Sequence, residues 1–304
     1  MSETRRHHYV SQFYLRNFAD AASSRFLYVI DKKENRDFKS STVNVAQERD
    51  FHRVDIDGVA PNAVEDTLAA FEGAVATSMR EIRQRQLVSR DAYGQTLIHY
   101  LALLLVKNPR TRSMIDHLTN TILSEFGRRE AANADSFRRK NGDSEETETL
   151  RQALLAGDYN VSLRNEGHLD TEFFTAPSLA RLLLQRTWNF VTVADGQFIT
   201  CDHPVVLMRY GPGLLGVAHR DVDVFFPLSP SEGIIGAFDV SESVITASRE
   251  NVANLNAKVA WSAYRQVFAQ DKTFEYLASD GTVKPGPSIL QDPHFVTLQE
   301  ADEE

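Results

Sequence analysis

The stretch that decides the fold runs from Ser178 to Val206, SLARLLLQRTWNFVTVADGQFITCDHPVV. Its first part, Ser178 to Arg186, reads as a helix, and from Trp188 the pattern turns to β-rich runs bounded by turn residues. Trp188 to Val193 and Gln197 to Thr200 flank Asp195-Gly196, a two-residue hairpin signal. Further strands are expected over Pro204 to Met208, Val222 to Phe226 and Gly233 to Phe238, then a helix from about Glu242 to Phe268 and a last short strand, Phe274 to Leu277. Upstream lies helix. After Pro61, Leu68, Phe71, Val75, Met79 and Ile82 recur at helical spacing with Asn62 as the expected cap, and Asp91 to Lys107 is apolar nearly all round, as in a central buried helix. Pro109 suits the first turn of another helix, carrying Met114, Ile115, Leu118, Ile122 and Phe126. Phe26 to Ile30 is a short strand near the start. The expected class is α+β: a helical central segment packed on a mainly antiparallel C-terminal sheet, with the N-terminal arm completing the site, in a single domain over 1–304.

The chain has 304 residues, 33 Lys and Arg against 42 Asp and Glu, and a formal charge of −9. A modest acidic balance argues against nucleic-acid binding driven by bulk charge, and leaves room for a local basic groove. One cysteine, Cys201, excludes an intramolecular disulfide and a multi-cysteine metal site. No secretory signal precedes the first motif, and the longest apolar stretch, Leu97 to Val106, is too short to cross a bilayer, so a cytoplasmic protein without a membrane partner is expected. Residues 127–149 are dense in charge and are expected as an exposed insertion; residues 285–304 form a C-terminal extension ending in an acidic tail. Nothing in the chain sets an oligomeric state.

Two polar segments stand out. The first, His7-His8-Tyr9-Val10-Ser11-Gln12-Phe13-Tyr14-Leu15-Arg16-Asn17-Phe18, concentrates imidazole, amide and aromatic groups. Imidazoles ligate metals and exchange protons near neutral pH; the plainer reading is an arm stapled to the core by its aromatics. The second, Phe198 to Val206, runs a strand into Asp202-His203 and stops at Pro204, either a place where site groups converge or an ordinary turn in which Asp202 bonds nearby amides.

Together with FFPLSP (Phe225 to Pro230) and NLNAKVAW (Asn254 to Trp261), these segments resemble, in the same order, the bacterial and phage-associated proteins grouped as domain-of-unknown-function family 4238. That family shows an N-terminal His-His-Tyr-Val-Pro-Gln-x-Tyr-Leu and a central Thr-Ser-Asp-Asn-Pro. The chain departs from it at Ser11, Cys201 and His203. The matching positions are His7, His8, Tyr9, Gln12, Tyr14 and Leu15, then Thr200, Asp202 and Pro204, with Ser229 and Asn256 in the less specific matches. The resemblance implies no established activity; it makes one pocket shared by His7, His8, Gln12 and Asp202 the expectation.

Two carboxylates are expected beside them. Glu65 and Glu72 are seven residues apart on the helix after Pro61, so they point within roughly 20° of each other, either as acid, base or cation ligands or as partners of Arg110 and Arg112. Those arginines suit a phosphate or carboxylate equally well. His52, in ERDFHRVD, is a further candidate to approach the site, and His99 reads as a satisfied core residue. The leading functional expectation is a metal-assisted hydrolase of a phosphodiester or nucleotide. His7, His8 and Asp202 would be divalent-metal ligands or acid/base groups, with Glu65 or Glu72 assisting. Its substrate, a small molecule or nucleic acid, would meet Tyr9, Gln12, Tyr14, Asn17, Thr200, His203, Arg110, Arg112, Ser229 and Asn256. The alternative is a non-catalytic binding protein, such as a phage-defence or mobile-element effector, in which Tyr9, Gln12, Tyr14 and Asn17 stack on and hydrogen-bond a ligand.

Overall fold

The computed structural model describes residues 5–157 and 159–296. The acidic tail at 300–304 and the end of the C-terminal extension lie outside them. In chain order the helices are α1 (Gln12–Leu15), α2 (Ala63–Arg85), α3 (Ala92–Val106), α4 (Pro109–Ala132), α5 (Ala134–Asn141), α6 (Glu145–Ala156), α7 (Asn165–Leu183), α8 (Arg249–Ser262) and α9 (Pro293–Val296). The strands are β1 (Arg6–His8), β2 (Phe26–Asp31), β3 (Arg36–Ser41), β4 (Gln47–Arg49), β5 (Thr187–Val193), β6 (Thr200–Cys201), β7 (Val206–Arg209), β8 (Val222–Ser229), β9 (Glu232–Ala237), β10 (Val244–Ala247), β11 (Gln266–Ala269), β12 (Glu275–Leu277) and β13 (Val283–Pro285). The class is α+β. A five-stranded sheet has the order β10-β5-β9-β8-β7 and a four-stranded sheet the order β3-β2-β11-β6, antiparallel throughout except for the parallel β10–β5 pair. Two small ribbons, β1–β4 and β12–β13, complete it.

Local chemistry sets the helix ends. Asp91 accepts the Tyr93 and Gly94 N–H groups to open α3, Asn108 accepts Thr111 N–H in front of Pro109 to open α4, and Ser248 accepts Asn251 N–H to open α8. As its sequence implies, α3 is buried along most of its length. It joins Tyr14, Leu15 and Phe18 of the N-terminal segment, Val75 and Met79 of α2, and Phe226 and Ile234 of the large sheet in one core. A second core lies under α8, between the two sheets, and includes Cys201, Phe225, Val259 and Tyr276. Each such buried aromatic or aliphatic side chain stabilises the fold by about 1.5–3 kcal/mol.

Four sequence expectations are corrected. The Asp195-Gly196 turn exists, with Gly196 at φ +91°, but it is not a hairpin: β5 pairs with β9 and β10, whereas β6 pairs with β11 in the other sheet. The helix expected over 242–268 shortens to α8, and its ends become β10 and β11, because Ser248 caps it and the chain extends from Ala263. The helix expected from Ser178 begins at Asn165 and runs through Pro177, where a proline ordinarily breaks the ladder. His99 is exposed, its Nδ1 on the Gln95 carbonyl, not in the core. The apolar residues that mark α4 also face outward: Met114, Leu118, Ile122 and Phe126 are 57–64% exposed. Polar groups dock this helix, since Asp116 and Asn120 accept the backbone N–H groups of Leu163 and Val161. Residues 127–149 fall in the end of α4, in α5 and in the start of α6. No described helix is long and apolar enough to cross a membrane.

Candidate functional site

A polar seam runs beneath the N-terminal segment. β1 pairs with β4, so His7 sits opposite Glu48, and the chain returns two residues beyond Asp50 to lay His52 against it. The rings of His7 and His52 stack with centroids 5.5 Å apart and planes 6° from parallel. Both are buried. His52 donates its backbone N–H to His7 Nδ1 at 2.8 Å, which leaves the proton of neutral His7 on Nε2. On its far side, His52 Nδ1 lies 2.5 Å from Glu65 Oε2, in the first turn of α2. A neutral His52 donates there, so its Nε2 carries the lone pair, and that buried nitrogen has no hydrogen-bond partner among the described residues. Two turns along α2, Glu72 accepts the buried Ser11 hydroxyl at 2.5 Å. The end of α3 adds Lys107, fully buried, its Nζ 3.3 Å from the His8 carbonyl. The seven-residue spacing therefore does turn both α2 carboxylates toward the N-terminal segment.

Burial dominates the electrostatics. It pushes His52 from 6.5 down to about 3, with Lys107 adding repulsion, and so keeps the imidazole neutral at physiological pH. His8 also falls, through burial. Burial would raise Glu65, but the His52 hydrogen bond and the nearby His7 and Lys107 outweigh it, and its carboxyl lies below the usual range. Glu72 goes the other way: burial raises it despite Ser11 and Lys107. Lys107 is lowered by burial, against the pull of Glu72, Glu172 and Glu65. Two neighbouring glutamates on one helix face are thus driven apart, one held charged and one drawn toward its protonated form, the pattern of acid/base assignments.

The other expected site residues are spread over separate structural roles. Among the described residues, the His, Cys, Asp and Glu atoms that converge within 4.8 Å of one another belong to His7, His52 and Glu65; His8 and Asp202 are outside that group. Asp202 accepts three backbone N–H groups, from Tyr264, Arg265 and Gln266, at 2.7–2.8 Å, and so fastens the loop entering β11. Burial pushes its carboxyl upward, against those donors and the Lys32 ammonium. His203 pairs with Ser262, and burial followed by Arg110 lowers it to about 4. Tyr14 joins the two sheets: its hydroxyl meets Thr200 Oγ1 at 2.7 Å and the Pro227 carbonyl at 2.9 Å. Asn256 accepts Ile199 N–H and donates to the Gln197 and Glu275 carbonyls. Arg112 binds Glu172, the Phe51 carbonyl and Asn165, and covers the Phe51 ring at 3.5 Å. Tyr9 packs against Phe51, with ring centroids 5.6 Å apart. Gln12 accepts from Arg16 and reaches His8 at 3.5 Å. Asn17 and the residue that Ser229 holds, Glu232, line a different opening.

Residues 6–273 match the family described as protein of unknown function (DUF4238). The chain belongs to this family. No curated protein and no solved structure shows a significant match. Within this DUF4238 chain, the conspicuous N-terminal motif divides between the seam, through His7, His8 and Ser11, and the core, through Tyr14, Leu15 and Phe18. Lys107 and Glu172 were missed by sequence reasoning. Lys107 ends an apolar run, where a lysine ordinarily marks a solvated helix terminus. Glu172 lies in the part of α7 before Pro177, ahead of the helix start expected at Ser178.

Proposed function

We propose that this DUF4238 protein is a metal-assisted hydrolase of phosphate esters, with His7, His52 and Glu65 as its cation-binding group and Glu72 as its acid/base group. The observation that carries the reading is the convergence of two buried imidazoles and one carboxylate within 4.8 Å of one another. The low value of His52 favours a ligand over a proton acceptor: neutral imidazole is the ligating form, and a general base works best near the operating pH. Glu72, drawn upward by burial, fits proton transfer better. Lys107 supplies positive charge for an oxyanion in surroundings of low dielectric. A cation competes with the proton shared by His52 and Glu65, and His7 joins only by giving up its hydrogen bond from His52, so binding releases protons and weakens as pH falls.

The test is hydrolysis of a panel of phosphodiesters and nucleotides by the full chain, with metal analysis before and after chelation. Activity restored by a divalent cation and lost in His52→Ala and Glu65→Gln supports the reading. A folded protein that takes up no cation and hydrolyses nothing on the panel overturns it.

A further inference from the structure

A cleft of about 590 Å³ opens between the N-terminal segment, the second half of α2 and the β8–β9 connection. Phe13, Met79 and Ala76 give it an apolar floor, and Asn17, Arg80 and Arg83 give it polar walls. Its size falls within the roughly 300–1,000 Å³ of small-molecule sites. Arg83 donates through Nε to Glu232 Oε2 at 2.5 Å, and the same oxygen accepts the Ser229 hydroxyl at 3.1 Å. The guanidinium is therefore anchored by its Nε edge, and its two terminal amino groups have no partner among the described residues. Arg80, one turn earlier and exposed, has none for any of its donors. Two like charges three residues apart on a helix repel each other. The one carboxylate in the cleft is already committed to the Nε edge of Arg83.

We propose that this cleft binds a small ligand of the nucleotide kind, a phosphate joined to a planar heteroaromatic body. Each part of the ligand answers a feature of the site. A phosphate matches the fork of terminal amino groups on Arg83, with Arg80 adding a second guanidinium. The aromatic body covers Phe13 and the Met79 thioether. Asn17, whose side chain among the described residues makes one hydrogen bond, from Nδ2 to the Phe13 carbonyl at 3.5 Å, keeps its amide oxygen for a ring donor. Ser229 and Glu232 act as positioning residues for Arg83. The site is offset along α2 from the proposed hydrolytic group, because Arg80 lies about 22 Å from Glu65 and about 12 Å from Glu72.

The experiment is calorimetric titration of the full chain with AMP, adenosine and inorganic phosphate at two salt concentrations. AMP is expected to bind at least about tenfold more tightly than adenosine or phosphate alone, with affinity falling as salt rises. Arg80→Gln, at an exposed position that leaves the melting temperature unchanged, is expected to weaken AMP about tenfold. Arg83→Lys, which keeps the charge and loses the fork, is expected to weaken it severalfold. His52→Ala is expected to bind AMP as the wild type does, so failure of the hydrolase reading leaves this result intact. AMP binding no tighter than its parts, unchanged affinity in Arg80→Gln, or loss of AMP in a folded His52→Ala protein would each overturn the assignment.

Discussion

Two places that set a carboxylate beside an imidazole, Asp202 next to His203 and Glu65 against His52, differ in how completely their polar groups are satisfied. Asp202 takes three backbone N–H donors, and its neighbour His203 is engaged with Ser262. Glu65 takes His52, and His52 keeps a buried nitrogen with no partner among the described residues. The residue types are nearly the same; the accounting of donors and acceptors separates them. A saturated carboxylate holds a loop in place, whereas a buried lone pair without a donor costs free energy unless something binds it. Charge surroundings follow the same division. Three backbone N–H groups and the Lys32 ammonium face Asp202, while Glu65, Glu72, Lys107 and the two histidines face one another as side chains.

The largest effect is expected from Asp202→Ala. It removes the acceptor of three part-buried N–H groups and should lower the unfolding free energy in urea by about 3 kcal/mol. A cost below about 1 kcal/mol would break the comparison. Next comes His52→Gln, expected to reduce hydrolysis at least about a hundredfold, equivalent to about 2.7 kcal/mol, while costing about 1 kcal/mol of stability. The reverse ranking, a large stability loss with activity retained, would move His52 to the structural side.

Acid titration sharpens the contrast further. His52 titrates near 6.5 when unfolded and about 3 when folded, so the unfolded chain binds more protons between those values. Its contribution is present in full above about pH 7 and is lost as pH falls from 6.5 toward 3, on the order of 2 kcal/mol by pH 5. His203, lowered to about 4, acts in the same direction. Chemical denaturation at pH 7.5 and 5 should show this slope, and His52→Gln should flatten it. The smallest effect, about 1 kcal/mol, is expected from Tyr14→Phe, which removes the hydroxyl joining Thr200 and the Pro227 carbonyl and leaves the ring packed on Phe226.

Much of the scaffold is legible residue by residue. The apolar run of α3, the proline that opens α4 and the spacing of Glu65 and Glu72 are local signals, and the structure follows them. The Asp195-Gly196 turn was equally local, yet the partners of its two flanks were not. Pairing energy depends on which distant strand offers a ladder, and β9 and β11 captured β5 and β6 separately. The candidate site shows the same limit. His7, Glu65 and Glu72 stand out by motif or period; Lys107 does not, because its burial is decided by the segments folded over the end of α3.

The amino-acid sequence by itself determined the α+β class, the family and the concentration of polar chemistry at the N-terminus, because periodicity, capping and motif order act over neighbouring residues. Only the tertiary structure decided which of those polar groups are consumed and which are left available. A hydrogen bond is satisfied or orphaned by its partners, and here they stand far away in the chain: 45 residues between His7 and His52, 61 between Ser11 and Glu72, and 62 to 64 between Asp202 and the amides it holds.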